Sequence, residues 1–438
     1  MNSSLTRTAG GLLFLLCLFP YTTVLDLKFD VQPYAVVSAA ILLATLTASD
    51  GNLFIPKILL PYLIVFTYAL IIFLFSDFSL SAARSLIGYA SVFLFAAAAF
   101  HSFKYVKAKY FVGAVFLWLT CGLIQTVISK QFGSALLSRL STSPDRGVTS
   151  FAPEPSAYAT ICLFFLILNG VFHAKGEYPT RTYWILFFAL AVQLMLARAG
   201  VGILLFAVYL VAVAISKSTF PSLMKSLFAS SVFLLGAVAT IRNIPALQSG
   251  RIGRLLDGVF SDPIGLALSD GSTSDRLSHI LLSHLSLFYS NGKGYGFGHW
   301  TEAAPEIASN QGGLVLQIFN TYATTEGRIM SGWGTAIFEL GFVGVFLVVS
   351  FLVLMQKGIA RAKGEMRAVH ISSTITIYFA ILMAVPMTFP LFGYLLGIFV
   401  SIAFDSKAEH PTTARRDLPM NRLKRPIDLP RAYDVVRN

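Results

Sequence analysis

Apolar residues in this chain come in long unbroken runs, not in the alternating or three-to-four-residue patterns of half-buried elements. A helix crossing the roughly 30 Å hydrocarbon core of a bilayer uses about 20 such residues. Twelve runs answer to that description: 10–25, 33–48, 58–75, 82–100, 110–128, 155–172, 182–197, 199–216, 223–241, 333–355, 371–389 and 390–404. The last two are one stretch containing Pro386 and Pro390, and two prolines predict a hairpin there rather than a single helix. The pattern predicts an all-α polytopic integral membrane protein of about twelve transmembrane helices. It divides into an N-terminal bundle of about nine helices (1–241), a large polar loop with short helices (242–332), about three C-terminal helices (333–404) and a basic tail (405–438).

Composition agrees. Of 438 residues only 12% are charged and 55% are hydrophobic, against about 25% charged in a soluble domain. That leaves too little polar surface for water-soluble domains of this size and excludes the soluble-enzyme classes. The formal charge of +12 carries no message about nucleic acid, because basic cytoplasmic loops alone produce such an excess. Cys17, Cys121 and Cys162 all lie within apolar runs and read as small buried hydrophobes, with no disulfide framework or zinc site. The first run follows Arg7 without a small-x-small cleavage site before Asp26, so it reads as a retained anchor and not a signal peptide.

With the N-terminus inside, the cytoplasmic segments ahead of the tail carry thirteen basic residues and the opposite short loops six, as the positive-inside rule requires. Both termini are then cytoplasmic, and the tail reads as a disordered extension able to touch anionic headgroups. The large loop falls outside. On that side stand nine arginines and three lysines. Topology does not distinguish the two residue types, but phosphate recognition does. Arg offers a planar fork that grips phosphate oxygens in pairs and stays ionised when partly buried. The excess points to an outward cleft for a phosphorylated or acidic ligand, with structural Arg–carboxylate pairing as the alternative.

Several ionisable groups sit where a membrane makes them costly. Arg198 occupies the short turn Ala197-Arg198-Ala199, Arg84 lies near the start of its run, and Glu339 lies about 9 Å into the run beginning at Trp333. Arg84 has the alternative of snorkelling to the interface. Glu154 stands between Pro153 and Pro155, at the mouth of the next helix and facing its positive dipole end. In the large loop, Leu277, Ile280, Leu281, Leu285 and Phe288 recur at helical spacing with Arg276, His279 and Ser283 on other faces. This predicts an amphipathic helix laid against the bundle. The run Gly292-Lys293-Gly294-Tyr295-Gly296-Phe297-Gly298-His299 permits sharp turns and offers an anion cradle. It lacks the features of a nucleotide P-loop. His279 and His284 have no third ligand beside them, so no metal site is expected.

Together these residues resemble the bacterial O-antigen and exopolysaccharide repeat-unit polymerases, relatives of the O-antigen ligases. Four patterns carry the resemblance: Arg146-Gly147 followed by Glu154-Pro155-Ser156; Ala197-Arg198-Ala199-Gly200; Arg276 ahead of Gly294-Tyr295-Gly296-Phe297-Gly298; and Glu339-Leu340-Gly341 with Gly344. The resemblance implies a metal-independent glycosyltransferase without cofactors, in the bacterial inner membrane and acting on its periplasmic face. Its partners would be an undecaprenyl-diphosphate-linked oligosaccharide, membrane lipid and, where length is controlled, a chain-length regulator; nucleic acid is not among them. An acceptor hydroxyl would attack the donor's anomeric carbon and polyprenyl diphosphate would leave. Arg146, Arg198 and Arg276 are the first choices for the diphosphate, with Arg84 and Arg328 beside them. Glu154 is the first choice for general base, with Glu339 and His299 in reserve. Ligases of the related family carry a histidine near the end of the large loop, and Tyr322–Trp333 has none, which favours polymerase over ligase. A lipid-linked-oligosaccharide flippase or other transporter is the rival class. A non-enzymatic assembly partner is a third and would need no arginine excess.

Overall fold

The computed structural model of the protein describes residues 3–23, 31–50, 54–141, 146–216, 253, 258, 261–321 and 329–408. Among these no strand forms; Thr22 and Leu137 make one isolated antiparallel bridge. The first eight helices are α1 (Ser3–Leu18), α2 (Tyr34–Asp50), α3 (Leu60–Leu74), α4 (Leu80–Ser102), α5 (Ala108–Val127), α6 (Pro155–Ala174), α7 (Thr180–Ala197) and α8 (Gly200–Ser216). The loop contributes α9 (Pro263–Ser269), α10 (Gly271–Tyr289), α11 (Trp300–Gln311) and α12 (Gly313–Thr321). The chain returns through α13 (Gly332–Leu340), α14 (Phe342–Arg361), α15 (Gly364–Met383) and α16 (Pro390–Ala408).

Among the described residues, seven helices are long and apolar enough to cross a membrane: Lys57–Leu74, Leu80–Tyr105, Ala108–Val127, Pro155–Ala174, Thr180–Ala197, Phe342–Arg361 and Gly364–Met383. Four shorter apolar helices accompany them: Thr6–Leu18, Tyr34–Ala48, Gly200–Ser216 and Pro390–Phe404. Eleven of the twelve expected runs overlap apolar helices among the described residues, seven of them of spanning length. The run 223–241, the first part of the loop, Arg328 and nearly all of the basic tail lie outside the described residues.

Burial sorts the helices into centre and periphery. From Tyr158 to Phe172 every residue of α6 is buried, as is every residue of α16 from Leu391 to Ser401. The outer helices instead expose large apolar side chains, such as Ile64 and Ile71 on α3 or Phe188 and Val192 on α7. Such an outward apolar surface is that of a chain embedded in lipid. Between lipid-soaked helices association rests on close packing, which small residues allow. Helix α16 supplies Gly393 and Gly397 four residues apart; a Cβ on Gly397 would lie 2.2 Å from the Ala96 carbonyl oxygen of α4. The two helices run parallel, since Gly88 meets Thr388 and Ala96 meets Gly397.

Two expectations change. The run 333–355 is not one helix. It breaks at Gly341, whose φ of 59° is open to glycine. Helix α13 then folds back on α14, so that a Cβ on Gly344 would meet the Ala336 carbonyl oxygen at 2.0 Å. The spanning helix is Phe342–Arg361, and Glu339 belongs to the short helix before it. The amphipathic helix α10 forms, but its buried face is largely polar and part of its apolar face is turned outward. Ser274, Asp275, Ser278, His279, Leu282, Ser283 and Ser286 are buried, whereas Leu281 and Phe288 point outward. Small serines permit the close approach: Gly334 of α13 has Ser283 Oγ 2.9 Å from where a Cβ would stand.

Candidate functional site

Helix α4 begins with Ser79, whose side chain caps the Ala82 amide at 3.1 Å. Beyond the cap, Ser81, Arg84, Ser85, Gly88 and Tyr89 share one face by their spacing of three and four residues. That face lines a cavity of about 610 Å³ at one end of the bundle. The start of α2 (Gln32, Pro33), the turn Pro386–Thr388 before α16, Arg139, Gly298, Trp300 and α13 close the remaining walls.

Glu339 stands in this wall, only 6% exposed. Ser85 Oγ donates to its Oε1 at 2.6 Å and Tyr89 OH to its Oε2 at 2.7 Å. Two hydroxyl donors from successive turns of α4 thus fix the carboxylate of α13. The ring of Tyr89 is in turn stacked on Phe297 at 6.2 Å.

The glycine run around Phe297 is not an anion cradle. The amides of Gly292, Lys293 and Gly294 are taken up by Leu287 and Ser290, and two more reach the C-terminal end of α13: Tyr295 N–H donates to the Phe338 carbonyl at 2.8 Å and Gly296 N–H to the Glu339 carbonyl at 3.1 Å. These are carbonyls that a helix end leaves without intrahelical donors. Gly294 has a φ of 81°, and a Cβ there would lie 2.6 Å from the Glu339 carbonyl oxygen. The run is a clasp that holds Glu339 against α4.

A second cavity of about 70 Å³ adjoins the first and shares Val31, Arg139 and Pro386 with it. Glu154, Ser156 and Thr160 at the start of α6, Arg276 and Met330 also line it, among apolar side chains that include Tyr21 and Phe389. Glu154 is half-buried and accepts from Ser156 Oγ at 2.6 Å. Arg276 donates back to the Ser272 carbonyl of its own helix at 3.1 Å and also to the Ser272 hydroxyl. One turn on, His279 is buried. Its Nδ1 lies 3.3 Å from the Met330 amide, placing it as acceptor, and its Nε2 lies 3.6 Å from Asp275 Oδ1. Burial lowers the His279 pKa below the usual histidine value; Asp275 opposes this and Arg276 adds to it. His279 also stands edge-on to Trp300 at 5.1 Å. It thereby supports Met330 of the smaller cavity and Trp300 of the larger.

Of the residues expected from the sequence, Arg84 and Glu339 line the larger cavity, Glu154 and Arg276 the smaller. Arg146 and Arg198 do not line either. The segments carrying them meet elsewhere: Val148 N–H donates to the Leu196 carbonyl at 3.1 Å, and a Cβ on Gly147 would lie 2.2 Å from the Ala197 carbonyl oxygen. Lys130 Nζ donates to the Arg146 carbonyl at 2.7 Å. His299 is exposed and pairs with Glu302 at 3.1 Å, outside both linings.

Arg139, Ser85 and Tyr89 were not anticipated. The polar stripe on α4 was there to be read, since Ser81, Arg84, Ser85 and Tyr89 interrupt an apolar run at helical spacing. Nothing local distinguishes Arg139 from its neighbours. Gln125 was also missed. As a polar residue in an apolar span, it accepts from the Thr149 and Ser150 amides at 3.0 and 2.7 Å and donates to the Phe132 and Ser150 carbonyls. It sets the loop that carries Arg146 and Glu154. No protein-family model matches this chain, and no curated protein matches it either.

Proposed function

We propose that this chain is a membrane glycosyltransferase that polymerises polyprenyl-diphosphate-linked oligosaccharide repeat units at the cavity end of its helical bundle. In this reading the cavity end faces the periplasm of a bacterial inner membrane, twelve spans place both termini in the cytoplasm, and the large loop is periplasmic. The observation that carries it is the pair of adjoining cavities lined by Arg84, Arg139 and Arg276, with a buried carboxylate fixed by two hydroxyls in one wall.

The chemistry assigned to these groups is simple. An acceptor sugar hydroxyl gives its proton to a carboxylate as its oxygen bonds to the donor's anomeric carbon. The bond from that carbon to the diphosphate oxygen breaks with inversion, and polyprenyl diphosphate departs. Negative charge grows on the departing oxygens, where preorganised guanidinium groups stabilise the transition state more than the ground state. Arg139 belongs to both cavities and is therefore assigned to the diphosphate, with Arg84 and Arg276 on either side. Glu339 takes the role of general base, ahead of Glu154, because both its oxygens are oriented before substrate arrives. Cavities of several hundred Å³ are of the size that holds a small ligand in pre-formed surroundings.

The test is reconstitution in liposomes with purified lipid-linked repeat units and no other protein. Products longer than one repeat unit, lost in Arg139→Ala and Glu339→Gln, are the expected result. Translocation of single units without polymer would assign the chain to the carriers instead.

A further inference from the structure

The outward apolar side chains of α10 ask what covers that side of the helix. Leu281 and Phe288 lie on that side with Tyr289 at its end, and Phe288 is 76% exposed. In water such a helix would turn this side inward and its serines outward. The corner that follows is bound to the beginning of a spanning helix. Asn291 N–H donates to the Phe288 carbonyl at 3.1 Å, and Phe342 N–H donates to the Gly292 carbonyl at 2.9 Å. The Phe342 ring lies against Gly292, where a Cβ would stand 2.0 Å from it. Phe342 is itself 63% exposed and begins an outward apolar strip on α14 that continues through Phe346, Val349 and Val353. The α10 patch is thus continuous with a lipid-facing strip at the level where that helix leaves the hydrocarbon. Lys293 is exposed at the same corner. Aromatic rings beside a lysine are the composition of the membrane–water boundary.

We propose that Phe288, Tyr289, Lys293 and Phe342 form an interfacial anchor: the rings sit in the headgroup–acyl boundary and the Lys293 ammonium sits among anionic lipid phosphates. Segments of this kind penetrate about 5–10 Å below the headgroups. The anchor is joined to the site through the clasp, because Gly292 holds Phe342 while Tyr295 and Gly296 hold the end of α13. Lipid contact at the corner therefore sets the depth of Glu339 in the bilayer.

The experiment reads lipid contact alone and is independent of the proposed transfer reaction. The three native cysteines are buried, so a single Phe288→Cys thiol takes an environment-sensitive fluorophore in the full chain. In proteoliposomes containing brominated phosphatidylcholine, its emission is expected to be blue-shifted and largely quenched. A label on Glu302→Cys, exposed on α11, stays water-like. Water-like emission at position 288, as would follow if a second protein covered the patch, overturns the proposal; so does equal quenching at both positions. If Phe288→Cys does not fold, Tyr289→Cys carries the label with the same two outcomes. Added phosphatidylglycerol should deepen the quenching at 288, and Lys293→Glu should abolish that increment; an unchanged increment overturns the role of the ammonium.

Discussion

Two basic corners of this protein are built on opposite plans. At the cavities, the side chains of Arg84, Arg139 and Arg276 reach lining positions from three separate elements, and the backbone beneath is ordinary helix or loop. Where the loop before α6 meets the α7–α8 turn, the contacts joining the Arg146 and Arg198 segments run through backbone: Val148 to Leu196, Gly147 against Ala197, and Lys130 to the Arg146 carbonyl. Arg198 even accepts a left-handed conformation, φ 46°, to close α7. The comparison teaches that an arginine in a tight turn is not by itself a ligand-binding arginine. The first corner presents guanidinium side chains to a cavity, and the second holds the loop that carries Glu154.

The comparison breaks most visibly at Glu339. Removing a general base costs roughly 10²–10⁴-fold in turnover, so Glu339→Gln should lose that much polymer formation while the protein keeps its melting temperature. The amide preserves shape: its oxygen accepts from one of the two hydroxyls, and its NH2 donates to the oxygen of the other, which turns its own proton away. Glu154→Gln should cost far less if Glu339 is the base. The reverse ranking, measured as initial rates with lipid-linked repeat units, would move the base to the smaller cavity.

Gly147→Ala addresses the second corner. Its new Cβ would stand 2.2 Å from the Ala197 carbonyl oxygen, and overpacking of this kind costs about 1–3 kcal/mol. A lower midpoint in thermal or denaturant unfolding is expected, with turnover per folded molecule retained. Unchanged stability with lost turnover would make the corner part of the site.

How much of this was legible follows from what each signal depends on. Apolar runs reveal helices because hydrocarbon demands length, and the α15–α16 hairpin followed from Pro386 and Pro390. The break at Gly341 was hidden, since hydropathy continues from Leu340 into Phe342 and only the backbone dihedral marks the turn. The outward Leu281 and Phe288 of α10 and its buried serines were hidden because the rule for amphipathic helices assumes water outside. In the site, Glu339 and Arg84 stood out as charges in apolar runs. Their convergence did not, because Ser85 and Tyr89 lie some 250 residues from Glu339 in sequence. Arg139 was one basic residue among many until a cavity set it apart.

His279 sharpens the comparison from the cavity side. Burial lowers its pKa, so the folded chain binds fewer protons here than the unfolded chain, whose histidines titrate near about 6.5. The contribution is complete above that value and is lost as pH falls through it toward the lower folded value. The charged groups acting on it are Asp275 and Arg276, both from its own helix; α11 presents Trp300, and the segment before α13 presents the Met330 amide. His279→Asn keeps an acceptor near the Nδ1 position and cannot titrate. Its melting temperature should decline less between pH 7 and 5 than that of the wild type; parallel curves would mean that His279 does not titrate on unfolding.

The smallest effect is the most pointed. Any residue other than glycine in the left-handed region costs about 1–2 kcal/mol, and glycine relieves part of this while giving back entropy in the unfolded chain. Arg198→Gly should therefore leave stability unchanged or raise it by up to about 1 kcal/mol. Since the Arg198 side chain lines neither cavity, turnover should stay within about twofold, an effect of less than 0.5 kcal/mol on the barrier. If turnover instead collapses while the fold gains stability, the chain is tolerating strain to keep a guanidinium at that point. Substrate would then extend from the cavities to the α7–α8 turn, and the two plans contrasted above would be parts of one binding surface.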